Sequence, residues 1–490
     1  MSLQSRIREY LGRPVPVTAL SIFRILFCLL ALFYWAELIV YRHLIFDTVP
    51  YLEPAWWPVT PLLVIGAGAV TCVLLGVWVK AASAVMWLIC VFILGGYLGW
   101  YHGEYMFQMM FFLFIFLPVD KTLTVRSALR RRARSAEKPA TVLVPIGCYL
   151  IPVFLTLGFM YVDSALWKLD SWHWLAGLGT WLPMATPISA QIDATPMLDH
   201  APVLWMAASW ATVVYEVIFI VLMWVARARI PLAIFGIGLH ASIALAFPIP
   251  VFGIQGVLML TLLVPGWPQW VRGVWNRLRG QGKPQEPSAA TVVAGSQLLT
   301  SRVVTTIVAL FTVAQLLLTL TFTVPAVLNV TVPRALVAPG WIVLQVSRPV
   351  FGIALHALFV SSHFDGRNHE YRVVDNATSK PLPMLSDQGL PSLWQSRDEL
   401  WPLWVFNDAK VPPTDMALRY IAFNLGPEAL RSDNTYTFTV QAKYFPPQRA
   451  WAPGVLTRAK AQPWYDVATV SIHQGQADWT ILPAAEEARP

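Results

Sequence analysis

The chain has 490 residues, of which 56% are hydrophobic and only 13% charged, against about 25% charged in ordinary soluble domains. With a mean hydropathy of +0.56, this composition excludes a purely cytosolic globular protein. The net charge of +8 would suit nucleic acid, but residues 326–490 hold 14 basic and 14 acidic side chains, so the excess, 21 against 13, lies among the apolar runs of residues 1–325. Membrane topology rather than phosphate binding explains such a placement, and no nucleic-acid partner is expected.

Apolar runs bounded by Pro, Gly or charge occupy residues 17–41, 61–79, 82–101, 105–118, 141–166, 203–226, 230–247, 249–266 and 303–325. Read as spans, they predict about nine transmembrane helices. The fourth run is short for a full crossing, which tilt or local thinning of the bilayer accommodates. With the N-terminus in the cytoplasm, 18 Lys and Arg fall on the inner side and two, Arg42 and Lys168, on the outer side. That asymmetry obeys the positive-inside rule. An odd number of spans then carries residues 326–490 outside a multi-pass cell (inner) membrane. The first run is too long for the apolar core of a cleaved signal peptide, so it is expected to stay attached as a helix.

The basic loop from Arg126 to Lys138 reads as a solvated inner segment attracted to membrane lipid. Cys28, Cys72, Cys90 and Cys148 all lie inside apolar runs; small packed hydrophobes explain them, and no disulfide or metal site is implied. Beyond residue 325 the pattern changes. TYTFTVQAKYF alternates with period two, and shorter runs at Trp341–Val346, Tyr371–Val374 and Arg419–Phe423, with Asp365-Gly366 as a turn, also read as strands. The expected architecture is therefore a polytopic α-helical membrane domain over residues 1–325 and an extracytoplasmic β-sandwich-like domain over 326–490.

Ionisable side chains inside apolar spans cost roughly 2.5–3.5 kcal/mol each on insertion scales, so they mark partners or wet cavities. Arg24, Glu37, Glu216 and His240 stand out. Glu216 lies ten residues before the end of its run at 226 and His240 ten residues into the next, which at about 1.5 Å per residue puts both roughly 15 Å deep. They are expected to pair directly or through water, with Arg24 as a candidate third member. Such a cluster is either a polar lock between helices or a proton or ligand site.

A second group gathers at the outer ends of spans: His102 and Glu104, then Tyr161, Asp163, Lys168 and Asp170. Lys168 is flanked by Trp167, Trp172 and Trp174. It reads either as a snorkelling lysine in an interfacial tryptophan belt or as an amine sheltered by aromatic rings, able to serve as a general base near neutral pH.

The ordered segments GEYMFQMMFFLFIFLP, YVDSALWKLDSWHWLAG, YEVIFIVLMWVARAR and GLHASIALAFPIPVFG resemble the HTTM membrane domain shared by vitamin K-dependent gamma-carboxylase and its bacterial relatives. The likeness covers most of residues 15–267. Its most specific part is the spacing of Tyr161, Lys168, Leu169 and Asp170 with Trp172 or Trp174 and Gly177 after it. The order of Glu216, Arg229 and His240 is the second anchor.

The resemblance implies an enzyme that oxidises a reduced vitamin K-type naphthoquinone with O2. The base so formed removes a γ-proton from a peptide glutamate before CO2 adds. It implies Lys168 as the base that deprotonates the quinol, His102 as an assisting histidine, and Tyr161, Trp167, Asp170, Trp172 and Trp174 as binding residues. An exported peptide or protein would be the substrate, and no metal is called for. The external region has no cysteine, so the disulfide joining the two parts of the animal enzyme cannot form, and one extra residue separates Asp170 from the following glycine. Two other functions stay open: a non-carboxylating HTTM protein that binds quinone or lipid or aids maturation of an exported peptide, and a proton-coupled transporter using Glu216 and His240.

Overall fold

The structure is a computed structural model that describes residues 3–40, 42, 46, 59–93, 102–133, 142–186, 192, 194–247, 249–279, 291–292, 302–361, 364, 369–382, 414–445 and 448–483. It is mostly helical (67%), with a C-terminal sheet. In chain order the helices of the apolar part are Leu3–Gly12 (α1), Thr18–Val40 (α2), Val59–Leu75 (α3), Val79–Ile93 (α4), His102–Phe114 (α5) and Val125–Ala133 (α6). Gly147–Leu169 (α7), Pro202–Leu222 (α8), Ala226–Ala246 (α9), Pro250–Thr261 (α10), Trp267–Leu278 (α11), Val304–Val327 (α12) and Arg334–Phe351 (α13) follow.

Five of these, α2, α7, α8, α9 and α12, are long and apolar enough to cross a membrane. Helices α3, α4 and α10 are apolar but shorter. The fourth expected span is α5, only 13 residues long, and every residue from Glu104 to Phe114 is buried. Its all-round apolar character thus comes from enclosure by other helices, a pattern that composition alone does not separate from a span. The fifth run starts later than expected. Its first residues, Val142–Pro145, form a short strand, antiparallel to Pro14–Pro16 and parallel to Thr291–Val292.

Local chemistry ties these helices together. Tyr10 of α1 donates to the Trp224 carbonyl and accepts from Arg229, which also donates to the Met223 carbonyl at 3.0 Å. The amphipathic first helix is thereby fixed to the α8–α9 turn. Helices α7 and α12 each contain a π turn, Phe154–Gly158 and Thr319–Thr323, a feature frequent at functional sites.

The packed helical body continues past residue 325. Trp341–Val346 lies within α13, not in a strand; a short apolar run carries no period of its own, and here Leu344 and Ser347 face the core. Trp87 donates to the Val350 carbonyl at 2.7 Å, and Gln108 donates to that of Pro349. Leu344 and Ile353 join the same apolar core as α2 and α5.

The C-terminal sheet has five antiparallel strands. Its long members are His369–Asp375 (β1), Thr435–Tyr444 (β2), Tyr465–His473 (β3) and Gln476–Ile481 (β4), with Lys380–Pro381 at the edge beside β1. The alternating run behaves as read: Phe438, Val440 and Ala442 turn inward from β2. Arg419–Phe423 does not. It belongs to helix Thr414–Leu430 (α14), where Ala417, Tyr420 and Ile421 are buried at helical spacing. Among the described residues the core of this sheet is shared with α14, through Ala417, Tyr420, Ile421 and Leu430, and not with a second sheet. The Asp365-Gly366 turn lies outside the described residues.

Residues 449–456 join this domain to the segment 172–199. Trp451 Nε1 donates to the Leu198 carbonyl at 3.0 Å, Gly454 N donates to Asp199 Oδ1 at 2.7 Å, and the Arg449 guanidinium lies 4.4 Å from the Trp172 ring. Val455 and Leu456 pack with Trp181, Leu182 and Leu198.

Candidate functional site

Lys168 stands in the last turn of α7, with Tyr161 and Ser164 on the same face at i−7 and i−4. The residue is 2% exposed. The ammonium donates to both carboxylate oxygens of Glu216 on α8, at 2.6 and 2.7 Å, and to Ser164 Oγ at 2.7 Å. The Trp174 ring centroid lies 4.9 Å from Nζ, within reach of a cation–π attraction.

The pair is not sealed in packed core. Lys168, Glu216, Tyr161, His240 and Trp174 line one cavity of about 510 Å³, otherwise walled mainly by apolar side chains of α8 and α9, by Met184 and Met197, and by Leu358 and Phe359. Its seam between α8 and α9 is built of small residues, Ala208, Ala211, Gly238 and Ser242, and Ile234, Phe235 and Gly238 on that side are exposed. The cavity therefore lies beside the outer surface of two helices whose exposed side chains are apolar.

A second polar pole faces the same space. Tyr161 Oη and His240 Nε2 are 2.6 Å apart. His240 fits only because position 256 is glycine: a Cβ there would stand 2.1 Å from His240 Nδ1. Gly179 serves Trp174 in the same way, since a Cβ would stand 2.1 Å from the indole. Two glycines thus shape the wall at the two aromatic groups that flank the polar poles.

Asp163, one residue before Ser164, faces away from the cavity and accepts from Thr323 Oγ1 at 2.6 Å, Thr319 Oγ1 at 3.1 Å and the His356 backbone N at 2.6 Å. It binds α7 to the π turn of α12 and to the irregular segment after α13. That segment returns to the site: the Phe359 carbonyl accepts from Trp174 Nε1 at 2.7 Å and from His173 Nε2 at 2.9 Å.

The expected residues divide accordingly. Lys168, Glu216, His240, Tyr161 and Trp174 come together. Glu216 and His240 reach a common cavity but pair with Lys168 and Tyr161, not with each other, because α7 inserts its own polar face beside α8 and α9. Arg24 does not join them. It is buried on α2, where Nη2 donates to the Leu123 carbonyl at 2.6 Å, so the expected three-membered cluster is two separate sites. Trp167 and Trp172 are half-buried and Asp170 is exposed at the end of α7, and none of the three lines the cavity. His102 is the first residue of α5, and its side chain lies outside the described residues.

Sequence reasoning did not single out Ser164, Phe359 or Gly256 for the site. Ser164 sits one turn before Lys168, a readable helical spacing; nothing local marks Phe359, which is distant in sequence. Among the described residues no cluster of three His, Cys, Asp or Glu side chains is placed to hold a metal ion. The chain matches no family model, no curated protein and no solved structure.

Proposed function

We propose that the chain is an integral membrane enzyme of the gamma-carboxylase kind, in which the Lys168–Glu216 pair takes a proton from a lipophilic reduced naphthoquinone. The observation that carries the reading is the lysine itself: a buried amine on the wall of a largely apolar cavity, held by one carboxylate beneath an indole. A cavity of about 510 Å³ lies within the range of small-molecule sites, about 300–1,000 Å³. Two polar poles in an apolar wall suit a flat ring system bearing two oxygens, so the residues present fit such a group. When bound, the reduced quinone supplies electrons to O2 and the strong base that a glutamate γ-proton requires.

This chain's own residues do the rest. Lys168 Nζ would accept a hydroxyl proton from the bound ligand, and the Glu216 carboxylate, already bonded to that nitrogen, would take a proton from Nζ so that the amine is neutral when it acts. Tyr161 and His240 would hold the second polar end of the ligand. The apolar walls exclude water that would otherwise compete for the proton. In this reading α3, α4, α5 and α10 complete the nine spans and the N-terminus is cytoplasmic. The sheet domain then stands outside the inner membrane, where an exported peptide can reach the rim of the cavity.

The test is direct. Purified protein in lipid, given reduced vitamin K and labelled bicarbonate, is expected to label glutamyl peptides, and Lys168→Ala to lower the rate by about 10²–10⁴-fold, the usual contribution of a general base. Equal labelling by the variant overturns the assignment of the base.

A second reading has its own observation. All three protons of the Lys168 ammonium have acceptors, on Glu216 and Ser164, as in a static lock. A non-carboxylating protein that binds a quinone or lipid in this cavity would keep that geometry. It predicts quinone binding without labelling, and binding that survives Lys168→Ala.

A further inference from the structure

Residues 352–360 form neither helix nor strand; none of residues 352–361 is exposed, and the segment is inserted between α7, α12 and the short helix Trp172–Leu175. It is pinned at both ends. Near its start, the His356 backbone N donates to Asp163 Oδ2 and Gln315 Nε2 donates to the Ala354 carbonyl at 3.3 Å. At its far end, Ser361 N donates to Ser171 Oγ at 3.0 Å, and His173 Nδ1 lies 3.2 Å from Ser361 Oγ.

Between the pins, Phe359 adopts a left-handed backbone with φ of 53°, unusual for an aromatic residue and a mark of surroundings that over-determine it. The outcome of that conformation is a single carbonyl that receives two side-chain N–H groups, from Trp174 and His173. Its ring meanwhile packs 5.1 Å from that of Phe247 on the cavity wall.

We propose that segment 352–361 is a positioning element of the site: anchored by Asp163 and Ser171, it presents the Phe359 carbonyl that orients the Trp174 indole over the Lys168 amine. An indole has one donor, so a single acceptor fixes the rotation of the ring about its long axis. Gly179 clears the space beside the ring, where a Cβ would stand 2.1 Å from the indole. Asp163, Ser171, His173 and Phe359 act through Trp174 and are positioning residues, not catalytic ones. The segment precedes β1 in the sequence, so the stretch of chain before the sheet domain also contributes Leu358 and Phe359 to the cavity wall.

The inference rests on the reading of Lys168 as the reactive amine of the cavity, but its test needs no turnover. Protein in lipid is treated across a pH series with a lipophilic aryl isothiocyanate, whose central carbon a neutral amine attacks to give a thiourea with no group released, and modification of Lys168 is measured by peptide mass spectrometry. Glu216, Tyr161 and His240 are the ionisable neighbours that share the cavity with the probe. Trp174→Phe keeps a ring but removes its donor; Asp163→Asn and Ser171→Ala loosen the two anchors without touching the cavity wall. Each is expected to move the midpoint of the Lys168 profile in a common direction, by up to about one pH unit, the scale of a lost cation–π contact. Ser171→Thr, which retains the acceptor, should restore the native profile.

Native midpoints in Trp174→Phe and in both anchor variants would overturn the proposal. A shift in Trp174→Phe alone would also overturn it, since the anchors would then not govern the ring. If the profiles shift as expected while no carboxylation is found, the positioning role stands and the proposed reaction falls.

Discussion

The buried ion pair defines the chemistry of the site at the scale of single residues, and its energetics are separable from its function. Lys168 and Glu216 neutralise each other at 3% and 5% side-chain exposure. Removing one partner leaves a charge without a counterion, at a cost of about 3–5 kcal/mol, whereas an apolar pair of similar volume is often neutral or better. Lys168→Met alone is therefore expected to lower the midpoint of thermal unfolding in detergent, and Lys168→Met with Glu216→Leu to recover most of the loss. A double variant as unstable as the sum of its two single variants would mean that the groups do not interact.

The same logic runs in the opposite sense in the sheet domain. Glu370 on β1 is buried, with Lys443 Nζ 3.9 Å away, and burial pushes its carboxyl up to about 7 from an ordinary 4.5, with Lys443, Arg372 and Lys460 opposing the shift. A carboxyl raised in the folded state binds its proton more tightly there than in the unfolded chain. Its contribution is present in full below about pH 4.5 and is lost as pH rises through about 7. Hydrogen exchange of the β1 and β2 amides is expected to quicken between pH 5 and 8 beyond its intrinsic pH dependence, by an opening free energy on the order of 2–3 kcal/mol. Glu370→Gln should abolish that excess, and an excess persisting in the variant would assign it elsewhere.

At the scale of elements, the sequence is legible where one period dominates and opaque where burial is uniform. The long apolar runs became helices, and β2 was readable because half its side chains face a core and half do not. Helix α5 shows where composition alone falls short: with 13 residues it is shorter than the five long apolar helices, and helices that enclose a neighbour give it the same apolar surroundings that lipid does. Trp341–Val346 and Arg419–Phe423 are helical and not strands for a related reason: a run of five or six mostly apolar residues fits either period, and only the flanking turns of α13 and α14 settle it.

The site followed the same division. Helix spacing put Glu216 and His240 near one another, and both line one cavity, though each pairs with a residue of α7 instead of with the other. Their partners were hidden, since which helix supplies a third face is a matter of packing and not of spacing. Phe359 and its carbonyl were beyond reach from sequence altogether, because that role depends on a backbone conformation no local pattern announces.

At the scale of the whole molecule, the sheet domain and the apolar bundle meet beside the cavity. Met184 and Trp205 line the cavity and also pack in the cluster that contains Val455 and Leu456. A molecule held by the sheet domain at this junction would stand next to the apolar space, and segment 352–361, which precedes β1 in the chain, contributes Leu358 and Phe359 to the cavity wall. This arrangement suits an enzyme that brings a polymer from water to a reagent from lipid, and it makes the content of the cavity the decisive quantity.

The most direct measurement is a cryo-EM reconstruction of the protein in lipid nanodiscs with a reduced naphthoquinone added. The account predicts ring-shaped density between Lys168 and the Tyr161–His240 pair, with one oxygen within hydrogen-bonding distance of Nζ. A cavity filled by a lipid acyl chain, with the quinone absent or bound elsewhere, would contradict it.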